Sequence, residues 1–115
     1  MAQPMNLKES NYVKIVTSIP VESADVVRNA LGEAGAGEQG NYEYCSGSYR
    51  QIGRFRPLKG AHPAIGEVGK MEEVEEEVVE VICHKDKLEN VIQALRKAHP
   101  YEEPAIDIFP RYEIE

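Results

Sequence analysis

From Tyr12 to Ile19 the chain alternates, with Val13, Ile15, Thr17 and Ile19 on one face and Tyr12, Lys14, Val16 and Ser18 on the other. A period of two is that of a strand with one buried face, and Pro20 closes it. The period then changes. In VESADVVRNALGEAG, Val27, Ala30, Leu31 and Ala34 recur at i, i+3, i+4 and i+7, the stripe of an amphipathic helix. Ser23 or a neighbour is expected to cap its start, and Gly35 to stop it. A glycine-rich turn leads into NYEYCSGSYRQIGRF, where Tyr, Cys, Ile and Phe suggest strand, and Gly47 and Gly53 suggest bulges or a hairpin break. Gly60, Pro63, Gly66 and Gly69 interrupt any period in the next stretch, which reads as loop.

EEVEEEVVEVICH carries good helix formers, but the β-branched run Val78, Val79, Val81, Ile82 decides for a strand. The clearest element follows. Leu88, Val91, Ile92 and Leu95 form a second helical stripe, with Asp86 and Glu89 placed as an acidic capping box and Lys97 in the last turn. AIDIFPRYEIE alternates Ile106, Ile108, Tyr112 and Ile114 against Asp107, Phe109, Arg111 and Glu113, and Pro110 marks it as an edge strand or a bulged one. The order is β-α-β-β-α-β. It predicts an α+β, ferredoxin-like fold: a four-stranded antiparallel sheet with both helices on one face. Residues 1–10 are expected to be a flexible tail, and residues 11–115 one domain. Val16, Val78 and Ile82 are then expected on the sheet face that no helix covers, which self-association would cover.

Composition narrows the function classes. The net charge of −7 disfavours nucleic acid as a partner, because that affinity comes mainly from Lys and Arg neutralising phosphates. The first ten residues, MAQPMNLKES, hold no apolar core of a signal peptide, and no apolar run is long enough to cross a bilayer, so a cytoplasmic protein is expected. Cys45 and Cys83 fall in strand-like contexts without C-x-x-C spacing and are expected as buried, reduced thiols. GAGEQGNY lacks the lysine of a phosphate loop and follows a helix instead of opening one, which excludes that reading.

The remaining chemistry sits in two places. The glutamates between Glu72 and Glu80 are expected to be a solvated strand flank. AHPYEEPAIDIFP sets His99, Glu102 and Glu103 within five positions, and His62 stands alone in an upstream loop. These four are the candidate ligands for a divalent metal, although the strong zinc spacings are missing. The bracketing Pro100 and Pro104 favour a stiff junction between helix and strand, since Pro100 disfavours helical geometry at His99.

Three segments together, ALGEAGAGEQGNYEYCS, GRFRPLKGAHPAIGEVGKMEEVEEE and HPYEEPAIDIFP, resemble the insert domain of the Nif-three-like dinuclear-metal proteins, the GTP cyclohydrolase type-two homologues. The resemblance covers about residues 12–110. It implies a fold similar to CutA and PII proteins, which form trimers, and it places the family's two metal ions in flanking domains that this sequence does not contain. The chain departs from the family pattern at Gly47, where an aromatic is common, at His62, where Asn is usual, and at Ile106, where Tyr is usual. The expectation is a stand-alone version of that domain: a homo-oligomer, dimer or trimer, that binds a ligand or a protein partner. No cofactor is implied with certainty. Ligand candidates are Tyr42, Cys45, Arg54, His62 and Tyr101, in clefts that fold analogy places between subunits. The alternatives are a metal-dependent hydrolase assembled across subunits from His62, His99 and Glu102, and a structural partner domain for another protein.

Overall fold

The computed structural model describes residues 4–115. Six main elements occur in the order β1 (Leu7–Pro20), α1 (Ala24–Glu33), β2 (Gly47–Phe55), β3 (Glu72–His84), α2 (Leu88–Ala98) and β4 (Ile106–Ile114). One antiparallel sheet has the spatial order β2-β3-β1-β4. The two βαβ halves interleave, so the sequence neighbours β1 and β2 do not pair.

The period-two face of β1 and the two helical stripes make the core. Val13, Ile15 and Ile19 meet Val79, Val81 and Cys83 of β3 under Val27 and Leu31 of α1 and Val91 and Leu95 of α2. Each of the fully enclosed aliphatics contributes about 1.5–3 kcal/mol relative to exposure. Register puts Val16, Val78 and Ile82 on the opposite, helix-free face, opposite Glu80, Ser18 and Lys14 respectively.

Both helices begin differently from expectation. Ser23 makes no side-chain cap bond, because a 3₁₀ turn over Val21–Ser23 leads into α1. The Asp86–Glu89 capping box does not form either. Lys85–Lys87 is a second 3₁₀ turn, and the imidazole of His84 accepts the Asp86 N–H at 3.1 Å. The end of α1 is as expected: Gly35 has φ +106°, Ala36 N–H donates to Leu31 O at 3.0 Å, and Gly35 N–H donates to Gly32 O at 3.1 Å. These two bonds satisfy carbonyls that the helix end leaves unpaired.

The sheet is sheared, and the molecule measures 60 × 31 × 23 Å. β2 and β3 stay paired as far as Phe55 opposite Glu72, beyond the end of β1 at Pro20, which lies opposite Glu76. At the other corner Leu7, Lys8 and Glu9 pair with Ile114, Glu113 and Tyr112, so residues 7–10 of the expected tail are strand. Residues 1–3 of that tail lie outside the described residues. β4 is an edge strand, and its register with β1 shifts between Glu9 and Val13, opposite the stretch that follows Pro110. Gly47 and Gly53 produce no bulge: β2 keeps one register with β3 from end to end. Cys45 lies in the loop before β2, not in a strand, while Cys83 is in β3; both are free thiols.

Candidate binding site

The corner where β1 stops leaves the helix-free face of β2 and β3 without a third strand. Two irregular segments close around it: the chain leaving β2, and the junction from α2 to β4. His62 N–H donates to Glu102 Oε1 at 3.0 Å and links them. Between them lies a cavity of about 420 Å³. Its walls are mainly apolar, with Phe55, Pro57, Pro63 and Ile65 from the first segment and Tyr101 and Ala105 from the second.

Ser18 and Glu76 form its polar floor, and Gln51, which does not line it, bonds both. Gln51 lies opposite Glu76 and Ser18 opposite Val78, so register alone gathers the three side chains on one face. Glu76 is only 5% exposed. Its Oε1 accepts Gln51 Nε2 at 2.9 Å, and its Oε2 accepts the Tyr101 hydroxyl at 2.7 Å. Gln51 Nε2 also donates to Ser18 Oγ at 3.0 Å. A Cβ at Gly53 would lie 2.2 Å from Glu76 Oε1, so the glycine makes the space this carboxylate occupies. Burial pushes the Tyr101 phenol up, and the hydrogen bond to Glu76 raises it further, so the phenol keeps its proton and donates.

The junction is held by His99, which is buried. Its Nδ1 accepts the Tyr101 N–H at 3.1 Å, so the proton is on Nε2, which donates to Ser18 O at 2.8 Å. Burial holds the imidazole below its ordinary range, against smaller opposing effects of the Ser18 carbonyl and Glu76. Tyr101 then packs edge-on against Phe55, with ring centroids 6.0 Å apart. His99 thus positions the tyrosine and has no nitrogen left for a metal.

Of the residues singled out from sequence, Arg54, Tyr101, Glu102 and Glu103 line this cavity, and His62 stands exposed beside it. Arg54 pairs with Glu73 at 3.4 Å. Tyr42 and Cys45 are elsewhere. Tyr42 is 76% exposed in a loop, where it exchanges backbone hydrogen bonds with Gln39. Cys45 borders a separate cavity of about 120 Å³ against α1. Among the described residues no group of three or more His, Cys, Asp or Glu is gathered for a metal. Cys83 is in the core, where burial pushes its thiol up and away from the nucleophilic thiolate.

Sequence reasoning missed Glu76, Gln51 and Ser18. Glu76 was grouped with a solvated flank, yet β3 is interior and neighbouring glutamates are paired: Glu77 with Arg28, and Glu80 with Lys14 at 3.5 Å. The available signal was the alternation Val74, Glu76, Val78, which sets one carboxylate between two valines on the same face.

Strand order, helix placement and the sheared sheet make this a CutA-like, ferredoxin-like domain. The crystal structure of the CutA protein from Archaeoglobus fulgidus superposes with a TM-score of 0.62 over 87% of this chain and 83% of that one, and at 20% identity this shows the fold alone. Sequence carries the relationship further. The GTP cyclohydrolase 1 type 2 homologue of Halalkalibacterium halodurans is 46% identical over 102 residues, 89% of this chain and 27% of the relative. That of Bacillus subtilis is 48% identical over 97 residues, 84% of this chain and 26% of the relative. A Bacillus cereus protein related to NIF3 superposes with a TM-score of 0.76 at 40% identity, over 95% of this chain and 27% of that one. No family model matches the chain. The chain is homologous to one segment of the NIF3-like proteins and spans about a quarter of the length of the curated relatives it matches.

Proposed function

We propose that this chain is a homo-oligomeric, cytoplasmic binding module whose ligand is a small molecule held in the cavity between the β2–β3 segment and the α2–β4 junction. One observation carries the reading. Segments about forty residues apart in sequence converge on a concave, mainly apolar space with a few polar groups at its floor, the usual make-up of a small-molecule site. Regular strands supply its floor, Ser18 from β1 and Glu76 from β3, and its wall is fixed by His99 and Glu102.

The test is a ligand-detected screen on the oligomer, repeated on Ala61→Trp, which puts an indole into the cavity. Hits that shift amide resonances of Phe55, Ile65 and Tyr101 in the native chain, and are lost in the variant, support the site. Hits that survive the substitution, or that map to the Cys45 cavity, end the proposal. A metal-dependent hydrolase remains the opposing reading. It draws support from His62 and Glu102 alone, which are adjacent, since both ring nitrogens of His99 are engaged. Zinc bound stoichiometrically by protein purified without an affinity tag, with a rise in melting temperature, would favour it.

A further inference from the structure

The Glu76 carboxylate is enclosed by protein, yet both of its hydrogen-bond donors among the described residues, the Gln51 amide and the Tyr101 hydroxyl, are neutral. Among the described residues it takes part in none of the ion pairs, while its neighbours Glu73, Glu77 and Glu80 each have a basic partner. An enclosed carboxylate is costly unless it is paired. Gly53 gives up a side chain to make room for it, and Tyr101 is locked by His99 to bond it. The carboxylate also borders the cavity. Two oxygens with roughly four acceptor positions receive two hydrogen bonds, so acceptor capacity remains.

Glu102 and Glu103 add negative charge at the opening. Arg54 and Arg56 also line it; Arg54 is turned to Glu73, and Arg56 is exposed like Glu102 and Glu103, so among the charged lining residues the enclosed one is Glu76. Phe55 and Tyr101, packed on each other with ring centroids 6.0 Å apart, also line the space and offer an apolar body aromatic surface beside the carboxylate.

Resting on the cavity reading above, we infer that the site selects a ligand with a protonated amine or amidine head, seated on Glu76, and an aromatic or apolar body against Phe55, Pro57 and Ile65. The head supplies the positive charge the carboxylate lacks, and at an enclosed carboxylate such a pair is stronger than in solvent. Anionic ligands are rejected by the same carboxylate.

Three probes with the same ring separate head from body: tryptamine, tryptophol and indole-3-acetate, titrated into the intact protein by calorimetry, with amide shifts of Phe55, Gly53 and Tyr101 as the locator. The expected result is tryptamine binding at least tenfold more tightly than tryptophol, with indole-3-acetate weakest. In Glu76→Gln the preference for tryptamine over tryptophol falls to about onefold. Should that variant fail to fold, N-acetyltryptamine, which keeps the ring and loses the charge, is titrated into the native chain and is expected to bind no more tightly than tryptophol. Equal binding of tryptamine and tryptophol at these residues overturns the inference and leaves the cavity as a site for neutral apolar ligands. No probe shifting any of these residues overturns both. A crystal structure of the oligomer with a Lys or Arg of a second copy on Glu76 overturns the inference alone.

Discussion

Gly53 and Glu76 are best understood as one unit at the scale of single residues. A strand glycine normally weakens a sheet, through backbone entropy and the lack of a side chain to pack. Here it sits in unbroken register opposite Val74, and the missing Cβ is the space of a carboxylate oxygen. Gly53→Ala is therefore expected to destabilise by roughly 1–3 kcal/mol, the cost of overpacking, against the usual gain on replacing a strand glycine. Urea unfolding checks it, and an unchanged or raised midpoint would refute the packing. His99 sets a pH dependence. Its folded value lies below the ordinary 6.5, so the unfolded chain binds the extra proton first. Its contribution is complete above about pH 6.5 and is lost as the pH falls below that toward the lowered folded value. Urea midpoints of the native chain should fall between pH 7.5 and 5.5, and those of His99→Gln should fall less; parallel profiles would show that His99 does not titrate this way.

At the scale of elements, hydrophobic periods locate β1, β4 and both helices, residue types with β preference locate β2 and β3, and errors concentrate at the ends. Both helices are led in by 3₁₀ turns, so the hydrogen-bonding residues expected at the caps are displaced from cap geometry. The stop of α1 was legible because only glycine accepts φ +106° at no cost, and Gly35→Ala should lose about 1–2 kcal/mol in thermal or urea unfolding. A loss below a few tenths would mean the end of α1 relaxes. Pro110 marked an irregular edge strand, and β4 has both the edge position and the shifted register. Beside the shift, Ser10 is buried and its hydroxyl bonds Glu113 Oε1 at 2.8 Å and the Tyr12 N–H at 2.9 Å. No local pattern in sequence announces such a serine, because its partner is 103 positions away.

On the scale of the whole molecule, shear leaves two corners of the sheet unfinished. One holds Leu7, Tyr112 and Ile114, which are 56%, 66% and 70% exposed; the other holds Ile52 at 45%, and Tyr49 at 55% stands further along the same edge strand, β2. Apolar groups at two-stranded corners, next to open strand edges, are what a second copy would cover. Sedimentation at micromolar concentration is expected to give a multiple of 12.9 kDa, and Tyr112→Ser combined with Ile114→Asp to lower it without loss of far-ultraviolet circular dichroism. A native chain sedimenting at 12.9 kDa would end the oligomer proposal.

The sequence by itself determined the six elements, the antiparallel ferredoxin-like order, the buried stripes of both helices and the junction at His99, because each is set by local period or by a residue that restricts its own backbone. Of the candidates it marked, Arg54, Tyr101, Glu102 and Glu103 also line the cavity. Only the tertiary structure decided that they meet, that Tyr42 and Cys45 are elsewhere, and that one glutamate in an acidic run is enclosed while its neighbours are paired. The reason is physical: a carboxylate's environment depends on strand register and on what crosses over it, here Gly53, Gln51 and Tyr101, and none of these is adjacent to Glu76 in sequence.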